Sequence, residues 1–163
     1  MITISLDVLE MFLYYWQATS EKEKVSDLYL TAIAQRPEMS VLLGEDFTRD
    51  SIRKVLSSIT NREVLSSKTK AEGRFWNNNM WMLEDLSLTA AMLAPVKQLK
   101  GEDLGEGDLR IIFIPGHLET LYRRPGELYV NFFKLSMYFA DGSVKIDEKP
   151  LVAFLKEAIQ ESR

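Results

Sequence analysis

Apolar residues in the first part of the chain recur at helical spacing. Leu6, Leu9 and Leu13 fall on one stripe, and a period of about 3.6 residues is typical of an amphipathic helix. Similar stripes follow Ser20 and Thr48, two residues that suit the N-cap of a helix. We therefore predict a helical region up to about residue 86.

Beyond residue 86 the apolar period shortens to two, which is typical of strands. Four stretches are predicted to be extended: 91–99, 110–114, 118–122 and 127–139. Asp141-Gly142 lies between two alternating runs and predicts a tight hairpin. Pro150 suits the first turn of a closing helix. Residues 61–85 fit a hairpin or a helix, and the pattern does not decide between them.

Together these elements predict an α+β fold. An N-terminal helical lobe, residues 1–86, precedes an antiparallel β meander that a C-terminal helix closes, residues 87–163. No long linker separates the lobes, so we predict that residues 1–163 form a single domain with one shared core.

The amino-acid composition excludes several classes of functional site. The chain has 163 residues, a formal net charge of −4 and no cysteine, so disulfides, thiolate metal sites and cysteine nucleophiles are excluded. The start of the chain does not fit a signal peptide, and no stretch has the length and apolarity of a membrane span. We expect a cytoplasmic location, no membrane partner, no metal site and no cofactor.

The one histidine, His117, offers a weak catalytic candidate. Glu119 follows two residues later, and Arg123 lies about one strand-length further on. A histidine beside a carboxylate suits general base catalysis, and an arginine suits an anionic substrate. A surface turn containing a histidine explains the same residues, so catalysis by His117 is the third of three hypotheses.

The segment from Phe75 to Trp81 contains two tryptophans and three consecutive asparagines. Aromatic rings and amides together are typical of recognition surfaces. Asparagine disfavours a regular helix and is costly to bury without partners, so core packing alone does not explain the segment. The predicted binding residues are Trp76, Asn77, Asn79 and Trp81.

The stretch 48–74 has seven basic and three acidic residues. A short helical turn, the helix after Thr48 and a hairpin over 64–75 would resemble a winged helix-turn-helix. The residues that would contact nucleic acid are Arg49, Arg53, Lys54, Lys68, Lys70 and Arg74.

The sequence thus favours a non-catalytic protein-binding or regulatory module with an acidic, aromatic-rich surface. Its net charge favours a basic protein partner, and assembly of identical chains stays open. Nucleic-acid binding is the alternative.

Overall fold

The computed structural model describes residues 1–162, so the last residue of the predicted domain lies outside the described residues. The helices are α1 (Asp7–Ser20), α2 (Asp27–Gln35), α3 (Arg49–Thr60), α4 (Lys70–Glu84), α5 (Leu86–Lys97) and α6 (Leu151–Glu161). The strands are β1 (Ile2–Ser5), β2 (Leu109–Ile114), β3 (Leu121–Arg124), β4 (Glu127–Asn131), β5 (Leu135–Tyr138), β6 (Ser143–Ile146) and β7 (Lys149–Pro150). The α+β class is confirmed, as is the order of N-terminal helices, strands and a C-terminal helix.

Hydroxyl side chains fix where the helices begin. Thr48 caps α3 as predicted, and it exchanges hydrogen bonds with Ser51 in a capping box. Ser20 instead ends α1, and Ser26 caps α2 by accepting a hydrogen bond from Tyr29 N. The assignment of Ser20 as an N-cap is therefore wrong, because α1 continues through it.

The strands form two sheets with different pairing. The larger sheet has the order β1-β2-β4-β3, in which β1–β2 and β2–β4 are parallel and only β3–β4 is antiparallel. The smaller sheet, β5-β6-β7, is antiparallel throughout. The predicted meander is therefore correct for the second sheet only. The N-terminal strand β1 joins the edge of the first sheet, and residues 111–114 of central β2 are all buried.

The Asp141-Gly142 hairpin is confirmed. It joins β5 to β6, and Gly142 has φ +70°, a conformation that glycine adopts without strain. The expected single strand over 127–139 is interrupted by a 3₁₀ turn, because the Asn131 side chain accepts hydrogen bonds from Gly116 N and Phe133 N.

The predicted strand over 91–99 is wrong, because most of these residues belong to α5. Asp85 caps α5 by accepting a hydrogen bond from Leu88 N. The run that follows is rich in leucine, alanine and methionine, which favour helix. A short apolar run of this kind does not distinguish a buried helix from a buried strand.

Helix α1 lies at the centre of the core. Phe12, Tyr15 and Trp16 are all fully buried. Trp16 contacts Phe132 and Phe133 from the β-rich half, with ring centroids 6.1 and 5.9 Å away. Aromatic contacts therefore join the helical and β-rich halves through α1. The division into one domain stays a prediction.

Candidate functional site: a pocket beside helix α4

Helix α4 carries the tryptophan and asparagine segment and divides it between two environments. Asn79 is fully buried: Trp16 Nε1 donates to its Oδ1 at 2.9 Å, and its Nδ2 donates to Phe75 O at 2.8 Å. Asn77 is exposed, and 47% of Trp81 is exposed. Asn77 and Trp81 are four residues apart and share the outer face of the helix, whereas Asn79 belongs to the core.

The expectation that the three asparagines resist a helix is wrong. Thr69 and Glu72 form a capping box at the start of α4, in which each side chain accepts a hydrogen bond from the other residue's backbone N–H. The Nδ2 group of Asn79 donates to Phe75 O one helical turn away, and its Oδ1 accepts from Trp16, so both ends of the amide are satisfied inside the helix and core.

An open pocket of about 630 Å³ lies along the next face of α4. Trp76, Met80 and Leu83 line it from a single stripe, because residues three and four apart are neighbours on a helix. Ile59 near the end of α3 and Leu65 in the following loop complete much of its apolar wall. Ligand pockets in proteins commonly have volumes of about 300–1,000 Å³, so this one has the size of a binding site.

Hydrogen bonds hold α1 against α3 below the pocket. Tyr15 Oη donates to Leu56 O at 2.6 Å, and Thr19 Oγ1 donates to Thr60 Oγ1 at 3.2 Å. Burial raises the pKa of the Tyr15 phenol above its ordinary value, so it remains a protonated donor. These bonds join α1 to α3, and Thr19 also lines the pocket.

The wall of the pocket contains one unsatisfied polar group. Nε1 of Trp76 is buried and has no hydrogen-bond partner within residues 1–162. By contrast, Nε1 of Trp16 donates to Asn79. An unsatisfied buried N–H costs about 1–3 kcal/mol, so the indole N–H of Trp76 is less favourably placed than that of Trp16.

Two cationic residues on the rim have a left-handed backbone. Lys22 has φ 62° and Arg62 has φ 57°, and both line the pocket. Lys22 follows the end of α1, where Glu23 N donates to Ala18 O at 2.8 Å, and the end of α3 repeats this bond at the same distance. Helices that end in this motif usually place glycine at the left-handed position.

The catalytic candidates are not brought together. Nε2 of His117 donates to Leu42 O at 3.0 Å, so its ring lies against the helical region. Glu119 and Arg123 line a different crevice, of about 350 Å³, and Arg123 forms an ion pair with Glu161. The structure therefore separates the histidine from its expected carboxylate and arginine partners.

The open question about residues 61–85 is resolved in favour of a loop followed by α4. The hairpin predicted as a wing over 64–75 is therefore wrong. The capping box of Thr69 and Glu72 starts a helix in the middle of the segment that a wing would require.

The basic residues of α3 are engaged within the chain. Arg49 donates to the carbonyl oxygen of Ala34 at 2.7 Å. Arg53 pairs with Asp50 at 3.0 Å, and Lys54 pairs at 3.0 Å with a carboxylate of α4. The Arg49 and Lys54 contacts link α3 to its neighbours, whereas the Arg53–Asp50 pair lies within α3.

The other three candidates for nucleic-acid contact lie in three different environments. Nε of Arg74 donates to His117 O at 3.1 Å. Lys68 lines the pocket, and Lys70 is exposed at the start of α4. The six candidates thus divide between structural contacts, the pocket and solvent.

A polar cluster joins the first sheet to the turn after α2, and sequence reasoning missed it. Buried Glu38 pairs with Arg36 at 2.6 Å, and Glu127 pairs with Arg110 at 3.3 Å. Tyr129 Oη donates to Glu127 at 2.9 Å, and burial, followed by the nearby carboxylate, raises the pKa of Tyr129 to about 12. Arg110 also lies 3.9 Å from Glu38, so the cluster connects the first sheet to the turn after α2.

Sequence reasoning also missed the pocket, and of its lining residues it named only Trp76 as a binding residue. The stripe of Trp76, Met80 and Leu83 is visible in the sequence once the segment is read as a helix. The left-handed backbone of Lys22 and Arg62 has no comparable indication, because both residues are of types that normally avoid it.

Across residues 1–162, no group of three or more metal-ligating side chains is close enough to hold an ion. The helices of this described region are also too short or too polar to cross a membrane. Comparison with family models, with curated proteins and with solved structures finds no significant match to this chain.

Proposed function

We propose that this protein is a non-catalytic binding module that recognises another protein through the α4 surface, defined as the outer-face residues Asn77 and Trp81 and the pocket residues Trp76 and Met80. The observation that carries the proposal is the apolar pocket of about 630 Å³ directly beside a half-exposed tryptophan. Such a pocket suits an apolar anchor side chain, and tryptophan is enriched where partners bind most tightly.

Each side chain of the α4 surface would make a different kind of contact with the partner. Trp81 offers a large ring with few rotatable bonds, and Asn77 offers an amide that both donates and accepts. Met80 is flexible and polarisable, so it adapts to the shape of an entering group. Helix α4 is attached to α1 through the bond from Trp16 to Asn79 and to α3 through the pair of Lys54 with Glu72.

The two other hypotheses have less support. His117 lies away from Glu119 and Arg123, so the enzyme hypothesis lacks an assembled site. The basic residues of α3 are paired within the chain, so the nucleic-acid hypothesis lacks a continuous cationic face.

A selection of random 16-residue peptides against the immobilised full chain tests the proposal. We expect enriched peptides with at least one large apolar residue. Their binding should weaken about tenfold or more in Met80→Glu and in Trp81→Ala, because each change removes a central contact. Phe139→Ala is the matched control, since Phe139 is an exposed aromatic residue on the β5–β6 hairpin.

Thermal unfolding of each variant shows whether it is folded at the temperature of the assay. Peptides that bind the folded Met80→Glu and Trp81→Ala variants as tightly as the wild type would contradict the proposal, as would a selection that enriches nothing.

A further inference from the structure

We infer that the partner segment filling the pocket is an acidic amphipathic peptide, in which a large apolar side chain enters the pocket and flanking carboxylates face its rim. The inference rests on the proposed function and specifies the partner's chemistry. It reverses the expectation from net charge: the whole chain is acidic at −4, which favours a basic partner, whereas the pocket has the opposite local charge.

The charge on the pocket lining is positive. Lys22, Arg62 and Lys68 line it together with a single acidic residue, Glu63. The side chains of Lys22 and Arg62 form no hydrogen bond or ion pair with any residue in the described range 1–162. Glu21 and Glu23 adjoin Lys22 in the chain, but neither lines the pocket. Two free cations beside an apolar pocket complement an apolar group that carries carboxylates.

Backbone strain points to the same two residues. Within residues 1–162, four residues other than glycine have positive φ. Asp147 and Glu148 form the two-residue turn between β6 and β7, where such angles are required for a tight hairpin. Lys22 and Arg62 are the other two, and both stand on the rim of one pocket. Strained residues that gather at one site indicate a functional requirement for their side chains.

A structural explanation accounts for part of this arrangement. Cations near the carboxyl end of a helix interact favourably with the helix dipole. A cation in the last turn achieves this with ordinary right-handed backbone, so the dipole does not explain the left-handed conformation. The left-handed conformation itself belongs to the motif that ends both helices, with bonds from Glu23 N to Ala18 O and from Glu63 N to Ser58 O. Neither this motif nor the dipole requires a cation in place of glycine at both positions on the rim of one pocket.

The peptide selection described above becomes a test when the charges of the enriched sequences are counted. We expect an excess of aspartate and glutamate over lysine and arginine beside the apolar residue. An exposed ion pair changes affinity by about two- to fivefold, so Lys22→Glu/Arg62→Glu should weaken binding of these peptides about tenfold or more. Replacing their acidic residues by lysine should restore binding to this variant.

Lys156→Glu is the matched control, because Lys156 is an exposed lysine on α6, away from the pocket. It should leave affinity unchanged. Thermal unfolding again establishes that each variant is folded.

The outcomes separate the two claims. Peptides that require Met80 but have no acidic excess would overturn the inference and leave the proposed function standing. Acidic peptides that bind Lys22→Glu/Arg62→Glu as tightly as the wild type would also overturn the inference alone. A selection whose peptides ignore Met80→Glu would overturn both.

Discussion

The two sides of helix α4 differ in how completely they are packed. On the core side, Met82 is 1% exposed and Asn79 is buried with both ends of its amide bonded. On the pocket side, Met80 is half-buried, and Nε1 of Trp76 is buried without a partner in the described chain. The core side of α4 is thus closely packed and the pocket side is not, and the proposed partner would bind on the pocket side.

The largest difference in the free energy of unfolding is expected between variants of Met82 and Met80. Met82→Ala should lower the free energy of unfolding by about 2–4 kcal/mol, because it leaves a cavity in a closed core. Met80→Ala should cost less than about 1 kcal/mol, since Met80 is half-buried and lines an open pocket. Urea unfolding of both variants measures the difference. Equal costs would remove the distinction between the two sides of α4.

The asparagines provide a second matched pair. Asn79→Ala should cost about 2–3 kcal/mol, because it leaves Nε1 of Trp16 buried without an acceptor. Asn77→Ala should stay within about 0.5 kcal/mol of the wild type, as is usual for an exposed residue. Urea unfolding of both asparagine variants measures the two costs. A large loss of stability in Asn77→Ala would mean that the outer face of α4 is structural.

Glu72 makes the stability of the core side depend on pH. Burial, the largest effect, would raise its pKa, but hydrogen bonds from Ser51, Thr69 N and Lys54 outweigh it and lower the pKa below the ordinary 4.5. The carboxylate therefore stabilises the fold fully at pH values above 4.5, and this contribution is lost as the pH falls through the lowered pKa.

Glu72→Gln should accordingly cost about 1–2 kcal/mol at pH 7, and its difference from the wild type should shrink at pH 3. Unfolding curves at both pH values provide the comparison. A difference that is constant with pH would show that the ionised form of Glu72 contributes nothing.

Replacing Lys22 or Arg62 on the rim by glycine should raise the free energy of unfolding rather than lower it. Lys22→Gly and Arg62→Gly each relieve a left-handed backbone, so each should raise stability by about 1 kcal/mol. Peptide affinity should fall in both variants, because the cation is lost. Asp147→Gly is the control: it relieves a similar φ of 51° away from the pocket and should leave affinity unchanged. If Lys22→Gly and Arg62→Gly lose stability instead, the strain argument is wrong.

Sequence periodicity predicted α1, α3, α6 and the β5–β6 hairpin because these elements repeat one local pattern over a full face. It missed the parallel pairing of β1 with β2, since that contact joins residues more than a hundred positions apart. The strand predicted over 91–99 was wrong for a different reason, because a short buried apolar run has no period that separates helix from strand.

The candidate site was predictable only in part. The sequence identified Trp76, Asn77 and Trp81 by their unusual composition, but it placed Asn79 with them. Asn79 is distinguished only by its contact with Trp16, 63 positions away. The pocket itself arises where the ends of α1 and α3 meet α4, so tertiary packing creates it.

Tryptophan emission tests most directly whether the pocket is the binding site. Of the three tryptophans, Trp16 is in the core, Trp76 lines the pocket and Trp81 is on the outer face. The measurement is the change in emission when a selected, tryptophan-free peptide is titrated into Trp81→Phe and into Trp76→Phe. We expect the change to persist in Trp81→Phe, where Trp76 reports on the pocket, and to be smaller in Trp76→Phe, where Trp81 reports on the outer face of α4. A change that disappears in Trp81→Phe and persists in Trp76→Phe would contradict binding in the pocket.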